Sequence, residues 1–312
     1  MTHDTSHDVI AVPLRHTGRL ISAAVLLLLF GAVIYSLWTN PNIVHHVVSD
    51  FIFDPRILKG VGLTIVITIL SMLVGTILAI IFAVMRMSEN PILRGISFIY
   101  IWFFRGTPLL VQIVFWGFLG LLYAKISAGV PFTDLTFFSV DTNTLIPAFV
   151  GGVIALSLNE GAYAAEIVRA GLLSIDPGQR EAAYSLGMTP SYTMRRIVLP
   201  QAMKVIIPPM GNETISMLKS TSLLAVVAVN ELYTAATKIA AGNLAQVELL
   251  IVASAWYLLM TSILSVPQYY LERHFGRGNQ RSLPPTPFQQ FKAMIARMQA
   301  RRASHRAAKE GL

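Results

Sequence analysis

Residues 61–85 read VGLTIVITILSMLVGTILAIIFAVM and contain no Asp, Glu, Lys or Arg. An α-helix needs about 20 mainly apolar residues to cross the hydrocarbon core of a bilayer, so this run predicts a transmembrane helix. Further uncharged runs of similar length lie at 20–38, 106–124, 142–159 and 249–271. Residues 205–230 form a similar stretch, interrupted only by Glu213 and Lys219. The sequence therefore predicts an all-α, polytopic helical membrane protein with about six transmembrane helices.

The composition agrees with that fold class and excludes several functions. The chain is 54% hydrophobic and 13% charged, about half the charged fraction of soluble proteins. It contains no cysteine, which excludes disulfides, thiol catalysis and cysteine-ligated metals. The seven histidines show no ligand spacing, so we expect no metal site. The chain also lacks the G-x-x-x-x-G-K-[ST] phosphate loop, so any ATP must be bound by another subunit.

The distribution of basic residues predicts the orientation in the membrane. With the N-terminus inside, two, two, five and nine of the 24 Lys and Arg residues fall in the intracellular segments 1–19, 86–94, 169–204 and 272–312. Four fall in external segments. Because cytoplasmic loops carry an excess of Lys and Arg, we expect both termini in the cytoplasm. The same rule explains the net charge of +8 without nucleic acid as a partner.

Two apolar segments allow alternative boundaries. The run 20–38 could be a signal peptide, but it ends in Trp38 and no Ala-x-Ala site follows, so we expect a retained membrane helix. Residues 93–104 predict an aromatic interfacial helix, followed by a span over 107–124. Arg105 favours this division because an arginine at mid-bilayer costs about 2.5–3.5 kcal/mol. We expect Arg105 at the cytoplasmic interface.

Residues 176–200 read DPGQREAAYSLGMTPSYTMRRIVLP and are far more polar than their surroundings. The helix signals are Asp176 as a cap, Pro177 at the first helical position, Gln179 three residues after the cap, and Thr189-Pro190 as a second start. They predict a helix Pro177–Leu186, a left-handed turn at Gly187 and a second helix to Leu199. Pro200 would then open the next membrane element.

The expected surface of this helical hairpin is flat. Ala182, Ala183 and Ser185 would let another protein approach closely, and Arg180 and Glu181 could fix its orientation by charge. On these residues alone, an ordinary intracellular loop remains the alternative.

The same segment carries a resemblance to a known family. The order Glu181-Ala182-Ala183, three residues, Gly187, nine residues and Ile197-x-Leu199-Pro200 resembles the EAA motif of ATP-binding-cassette importer permeases. Segments that resemble the polar amino-acid branch of that family are FRGTPLL at 104–110, GAYAAEIVRAG at 161–171, GQ at 178–179 and LKSTSL at 218–223. Within the first of these, the expected interface motif is Arg105, Gly106, Thr107 and Pro108.

The resemblance covers about 57–275 and implies a five-helix importer domain there. Residues 1–56 would add an N-terminal helix, and 276–312 would form a basic cytoplasmic tail. The hairpin would couple the permease to two ATPase subunits, which would hold ATP and Mg, so this chain itself would need no cofactor and would be no enzyme. The resemblance also implies a second permease copy, identical or paralogous, an extracytoplasmic substrate-binding protein, and a place in the bacterial inner membrane.

Polar side chains at membrane depth mark the candidate substrate pathway. They are Asn159, Glu160, Tyr163, Asn212, Glu213, Ser216, Lys219 and Thr221. The pair Pro208-Pro209 should break its helix where backbone lines a cavity. A zwitterionic amino acid needs an acceptor for its ammonium and donors for its carboxylate, which this set offers. For Glu213 and Lys219, a structural interhelical pair or interfacial snorkelling remains the alternative, and for Glu160, a contact with its own half of the dimer.

The function expected from these features is import of a polar amino acid or a close derivative. Two other classes stay open: an ion-coupled secondary carrier or channel for small polar solutes, and a membrane anchor without a transport path. The tail segment 288–309 could form a cationic helix on the anionic inner leaflet or stay solvated.

Overall fold

The computed structural model describes residues 17–129 and 136–275, together with the isolated positions Lys292 and Ile295. The first part of the chain forms α1 Thr17–Trp38, α2 His45–Phe51, α3 Pro55–Arg86, α4 Pro91–Gly106, α5 Leu109–Gly117, α6 Leu119–Leu122, β1 Lys125–Gly129 and β2 Thr136–Asp141. The second part forms α7 Thr142–Leu145, α8 Ala148–Leu173, α9 Pro177–Ser185, α10 Pro190–Thr193, α11 Leu199–Ser220, α12 Leu232–Asn243 and α13 Gln246–Phe275. The possible cationic helix at 288–309 lies outside the described residues apart from the two isolated positions.

Four helices, α1, α3, α8 and α13, are long and apolar enough to cross a membrane. Two bent pairs raise the number to six if each pair counts as one span: α4 with α5, at 102°, and the segment Pro190–Val227 with α12, at 46°. The fold is therefore the expected all-α membrane bundle. The connection after α6 adds a small antiparallel hairpin of β1 and β2.

Helices α3 and α8 form the centre of the bundle. Small residues at their contact, including Ala79, Ala83, Ala164 and Ala165, are fully buried. Small side chains let membrane helices approach closely, where van der Waals contact replaces the hydrophobic drive available in water. On the other side of α3, Ile57 packs against Leu232 of α12 and Leu249 of α13.

Helix α1 stands apart from this bundle. Its apolar segment Ile21–Trp38 buries nothing within the chain, so lipid or another chain must cover it. The contacts lie at its end, where Trp38 stacks on His45 of α2 at 4.8 Å. Helix α2 is in turn held to α13, because Glu248 accepts a hydrogen bond from the Val44 amide at 2.9 Å.

The expected continuous span over 107–124 is wrong, although the expected separate helix before it is present. Pro108 cannot continue a helix that its missing N–H would interrupt, and the chain turns sharply between α4 and α5. Gln112 stabilises this bend by donating to the carbonyls of Phe104 at 2.9 Å and Thr107 at 3.1 Å. The predicted span fails at its other end: α5 stops at Gly117, because Phe118 leaves helical geometry with a φ of −110° and a ψ of 22°, and only the short α6 follows.

The expected break at Pro208-Pro209 is also wrong, because α11 continues through both prolines. The missing N–H groups of the two prolines leave the carbonyls of Lys204 and Val205 without their helical donors, yet the helix is kept. Helix α13 packs against it here, with Gln268 donating to the Pro208 carbonyl at 2.8 Å. The α-helix ends instead at Ser220 and gives way to a 3-10 segment, Thr221–Val227. That segment ends at Ala228, which has a φ of 57°. Similarly, α10 runs into α11 through a π-helical turn, Met194–Val198, so Pro200 opens no separate element.

Candidate transport cavity and coupling hairpin

A cavity of about 430 Å³ lies where the bend between α4 and α5 faces α8 and α11. The bend contributes Arg105, Gly106, Thr107 and Pro108, and α8 contributes Asn159, Glu160 and Tyr163. Helix α11 contributes Glu213 and Ser216, together with Met217 and Ser220. The structure thus brings most of the polar residues singled out in the sequence to one place.

Three of the predicted pathway residues lie outside this cavity. Asn212 donates to Glu272 of α13 at 3.2 Å, Lys219 is exposed elsewhere, and Thr221 is buried and donates to the Leu218 carbonyl at 2.8 Å. The reason is the helical repeat. Positions 213, 216, 217 and 220 follow the spacing that shares one helix face, and Asn212 and Lys219 fall on another face.

Glu160 is the most deeply placed charged group of the cavity. Its side chain is 4% exposed, and its Oε1 atom has no hydrogen-bond partner in the described part of the chain. Burying a carboxyl oxygen without a hydrogen-bond partner is costly, so this position favours a solute that brings a cation or a hydrogen-bond donor. Glu213, which is half-buried, faces the same space.

An amide pair supports the wall next to Glu160. Asn159 donates to the Phe104 carbonyl at 3.1 Å and to Oε1 of Gln112 at 3.3 Å. Gln112, which is buried, was missed in the sequence, although it is the one amide side chain in the run 106–124. Because Gln112 also holds the bend carbonyls, it links the backbone break to the polar lining.

Arg105 closes one side of the cavity. Its guanidinium lies 5.1 Å from the centre of the Tyr163 ring, a distance typical of a cation–π contact. Both side chains remain accessible from outside. The cavity therefore offers two carboxylates and one guanidinium to a solute.

The helical hairpin forms close to the expected boundaries. Asp176 caps α9 by accepting from the Gly178 amide at 2.7 Å, and Pro177 occupies the first turn. Gly187 has a φ of 77°. The amides of Gly187 and Met188 donate to the carbonyls of Tyr184 and Ala183, which is the hydrogen-bond pattern of a Schellman cap. The left-handed turn expected at Gly187 is present.

The outer surface of the hairpin differs from the expectation. Ala182 is exposed, but Ala183 is 4% exposed and packs inside the hairpin, because it lies on the helix face turned toward the chain. Leu186, which the sequence did not single out, is 83% exposed.

Two other hairpin residues have partners within the chain. Arg180 donates to the Leu172 carbonyl at 3.3 Å, where the last turn of α8 leaves carbonyls without helical partners. This hydrogen bond ties the hairpin to α8. Ser185 donates to the Glu181 carbonyl at 2.9 Å. In the described ranges, no group of three or more His, Asp or Glu residues could hold a metal ion.

A bundle of bent membrane helices around a polar cavity, with a helical hairpin at one end, is the architecture of a membrane permease. The family described as "Binding-protein-dependent transport system inner membrane component" matches residues 71–277. The chain belongs to this family. It is a permease subunit, a transport component rather than an enzyme, as the sequence predicted.

Individual relatives agree with this assignment. The chain is 48% identical over 275 residues to the arginine transport system permease protein ArgU of Corynebacterium glutamicum, covering 88% of this chain and 85% of the relative. It is 41% identical to the L-cystine transport system permease protein TcyB of Bacillus subtilis, over 72% of this chain and 88% of the relative. A crystal structure of an amino acid ABC transporter with histidines matches with a TM-score of 0.62 and 35% identity, over 71% of this chain and 95% of that one.

Proposed function

We propose that this chain is the permease subunit of an ATP-binding-cassette importer that moves a polar amino acid into the bacterial cytoplasm. The observation that carries the proposal is the cavity that joins Glu160 of α8 and Glu213 of α11 with Arg105 at the end of α4. Intramembrane ionisable groups that line a cavity rather than lipid mark a solute pathway. The relatives named for arginine and cystine transport support an amino-acid cargo.

The charges of the cavity favour a cationic amino acid. Such a solute carries an α-ammonium group, a second cation on its side chain and one carboxylate. Glu160 and Glu213 would accept from the two cations, and Arg105 would bind the carboxylate. A neutral amino acid would leave one of the two glutamates without a counter-ion.

The partners follow from what this chain lacks and what its hairpin exposes. No phosphate-binding loop is present in the sequence, so ATP and Mg would be held by two separate ATPase subunits. Ala182 and Leu186 would contact those subunits at the exposed face of α9. A second permease copy, identical or paralogous, and an extracytoplasmic substrate-binding protein would complete the importer. Both chain termini would face the cytoplasm.

Reconstitution into proteoliposomes tests this function. The permease is purified with the ATPase and binding protein, and uptake of radiolabelled arginine, lysine, glutamine and glutamate is measured with and without ATP inside. We expect ATP-dependent uptake, fastest for the cationic amino acids. Uptake that is indifferent to ATP would indicate a carrier or channel instead, and no uptake of any amino acid would contradict the proposed cargo.

A further inference from the structure

A second cavity, of about 440 Å³, lies next to the first on the outer side of Arg105. Its lining includes Arg86 at the end of α3, Phe98, Trp102 and Arg105 on α4, and Tyr163 and Glu166 on α8. The transport function proposed above does not use Arg86, Phe98 or Trp102. The chemistry of this cavity is distinct, since guanidinium groups and aromatic rings dominate it.

The guanidinium groups of Arg86 and Arg105 have N–H groups available to bind an anion. Arg86 lies over the Phe98 ring at 5.0 Å, and Arg105 lies over the Tyr163 ring at 5.1 Å. Neither guanidinium forms an ion pair or a side-chain hydrogen bond among the described residues. Because each ring covers the face of a guanidinium, the N–H edges stay available, and these edges match phosphate oxygens.

The acidic residue of the cavity does not neutralise both arginines. Glu166 is bound by Arg169, whose guanidinium donates to its carboxylate at 2.7 Å and 3.1 Å. Arg169 lies one helical turn further along α8, as expected for a structural pair at this spacing. Three guanidinium groups thus surround one carboxylate, which leaves a local excess of positive charge.

The geometry of α4 places this cavity at the membrane boundary. Helix α5 runs along α8 in the opposite direction, since Gln112 contacts Asn159 while Trp116 lies against Gly151. The angle between α4 and α5 is 102°, and α5 packs along the spanning helix α8, so α4 must lie near the membrane plane. Arg86 is the last residue of the spanning helix α3, which sets the same depth.

The surface around the cavity is apolar and unpartnered within the described chain. Ile99, Trp102 and Phe103 of α4 are 62%, 66% and 49% exposed. Tryptophan is enriched where membrane proteins meet the headgroup region. A ligand seated here would thus have its anionic part on the arginines and its apolar part beside these side chains.

We propose that this cavity binds an anionic phospholipid, with Arg86 and Arg105 holding the headgroup phosphate and Trp102 contacting the start of an acyl chain. Basic pockets between membrane helices bind such headgroups by the same combination of charge and location. The site shares Arg105 with the transport cavity but requires neither Glu160 nor Glu213, so it is tested by retained lipid rather than by uptake.

The test measures retained lipid on the full-length permease in nanodiscs made of equal amounts of phosphatidylcholine and phosphatidylglycerol. Native mass spectrometry after transfer to detergent gives the ratio of the two lipids that remain bound. We expect wild type to retain phosphatidylglycerol preferentially. Arg86→Gln should lower that preference about fivefold, the effect of removing one basic contribution near an anionic surface.

A matched control and a second variant make the result decisive. Arg94→Gln removes an exposed arginine of α4 outside the cavity and should leave the preference unchanged. If Arg86→Gln does not fold, as judged by size-exclusion chromatography, Arg105→Gln serves instead. Retention at the wild-type level in the cavity variant, or an equal loss in Arg94→Gln, would overturn the proposal. Displacement of the lipid by added inorganic phosphate would assign the site to free phosphate and overturn the lipid assignment.

Discussion

Gly75 of α3 lies directly against Glu160 of α8, so that a methyl group at Gly75 would come within 2.7 Å of the Glu160 Cγ atom. The same methyl group would lie 3.3 Å from the Ser157 carbonyl. The two central helices therefore touch at the turn that carries the cavity carboxylate. The position of Glu160 depends on the absence of a side chain at Gly75.

Gly75→Ala should impair transport by displacing Glu160. Overpacking of a tight contact typically costs about 1–3 kcal/mol, and here the side chain that must move is the cavity carboxylate. We expect a lower unfolding temperature and weaker substrate affinity. Gly62→Ala in the same helix is the control, because nothing lies within 4 Å of a methyl group there. Equal behaviour of the two variants in uptake and thermal unfolding would show that the contact does not matter.

The hairpin should require a residue at position 187 that tolerates the left-handed backbone conformation. Its φ of 77° disfavours residues with a Cβ by roughly 1–2 kcal/mol, whereas asparagine tolerates this region. We expect Gly187→Val to reduce ATP-driven uptake strongly and Gly187→Asn to retain most of it. Both variants should fold, since the hairpin lies outside the bundle core. Loss of uptake to the same extent in both would argue against a conformational cause.

Leu186 should contribute to contact with the ATPase. Its 83% exposure means that Leu186→Ser removes little packing within the chain but a full apolar side chain from the outer face of α9. We expect weaker co-purification of the ATPase and lower uptake, with the unfolding temperature of the permease unchanged. Leu244→Ser changes a leucine of 91% exposure at the connection between α12 and α13, and should have no such effect.

The predicted orientation can be read from the side on which new thiols react. The chain contains no cysteine, so each introduced cysteine is the sole reactive group. We expect Ser191→Cys in the hairpin to be labelled by a membrane-impermeant maleimide only after the cells are opened. Ser139→Cys in β2 should react in intact spheroplasts. The reverse pattern would place the hairpin and both termini outside and would refute the charge-based topology.

Sequence patterns predicted the elements of this fold whose cause is local. Uncharged runs predicted membrane helices because lipid excludes charge along the whole segment. Asp176, Pro177 and Gly187 predicted the hairpin because capping and turn formation depend on neighbours a few residues away. The polar residues of α8 and α11 indicated a cavity, because polar side chains within membrane helices avoid lipid.

Contacts between distant segments decided what the sequence could not predict. Helix α11 continues through its two prolines, and α13, far along the chain, packs against it there, with Gln268 donating to the Pro208 carbonyl. The change of direction after α11 is fixed further on by Glu231, which is fully buried, caps α12 and accepts from the Tyr257 hydroxyl at 2.7 Å. No motif near Glu231 indicates that partner. Likewise, Gln112 acquired its role only once the bend placed it beside Asn159.

The most direct test of the central claim is uptake of radiolabelled arginine by proteoliposomes that contain the complete importer with Glu160→Gln, and separately Glu213→Gln. A hydrogen bond to a charged group contributes about 1.5–3 kcal/mol, so at least one variant should lose about tenfold or more in affinity while folding normally. Glu89→Gln, an exposed carboxylate in the connection between α3 and α4, is the control and should transport like wild type. Wild-type rate and affinity in both cavity variants would contradict the claim that this cavity carries the solute.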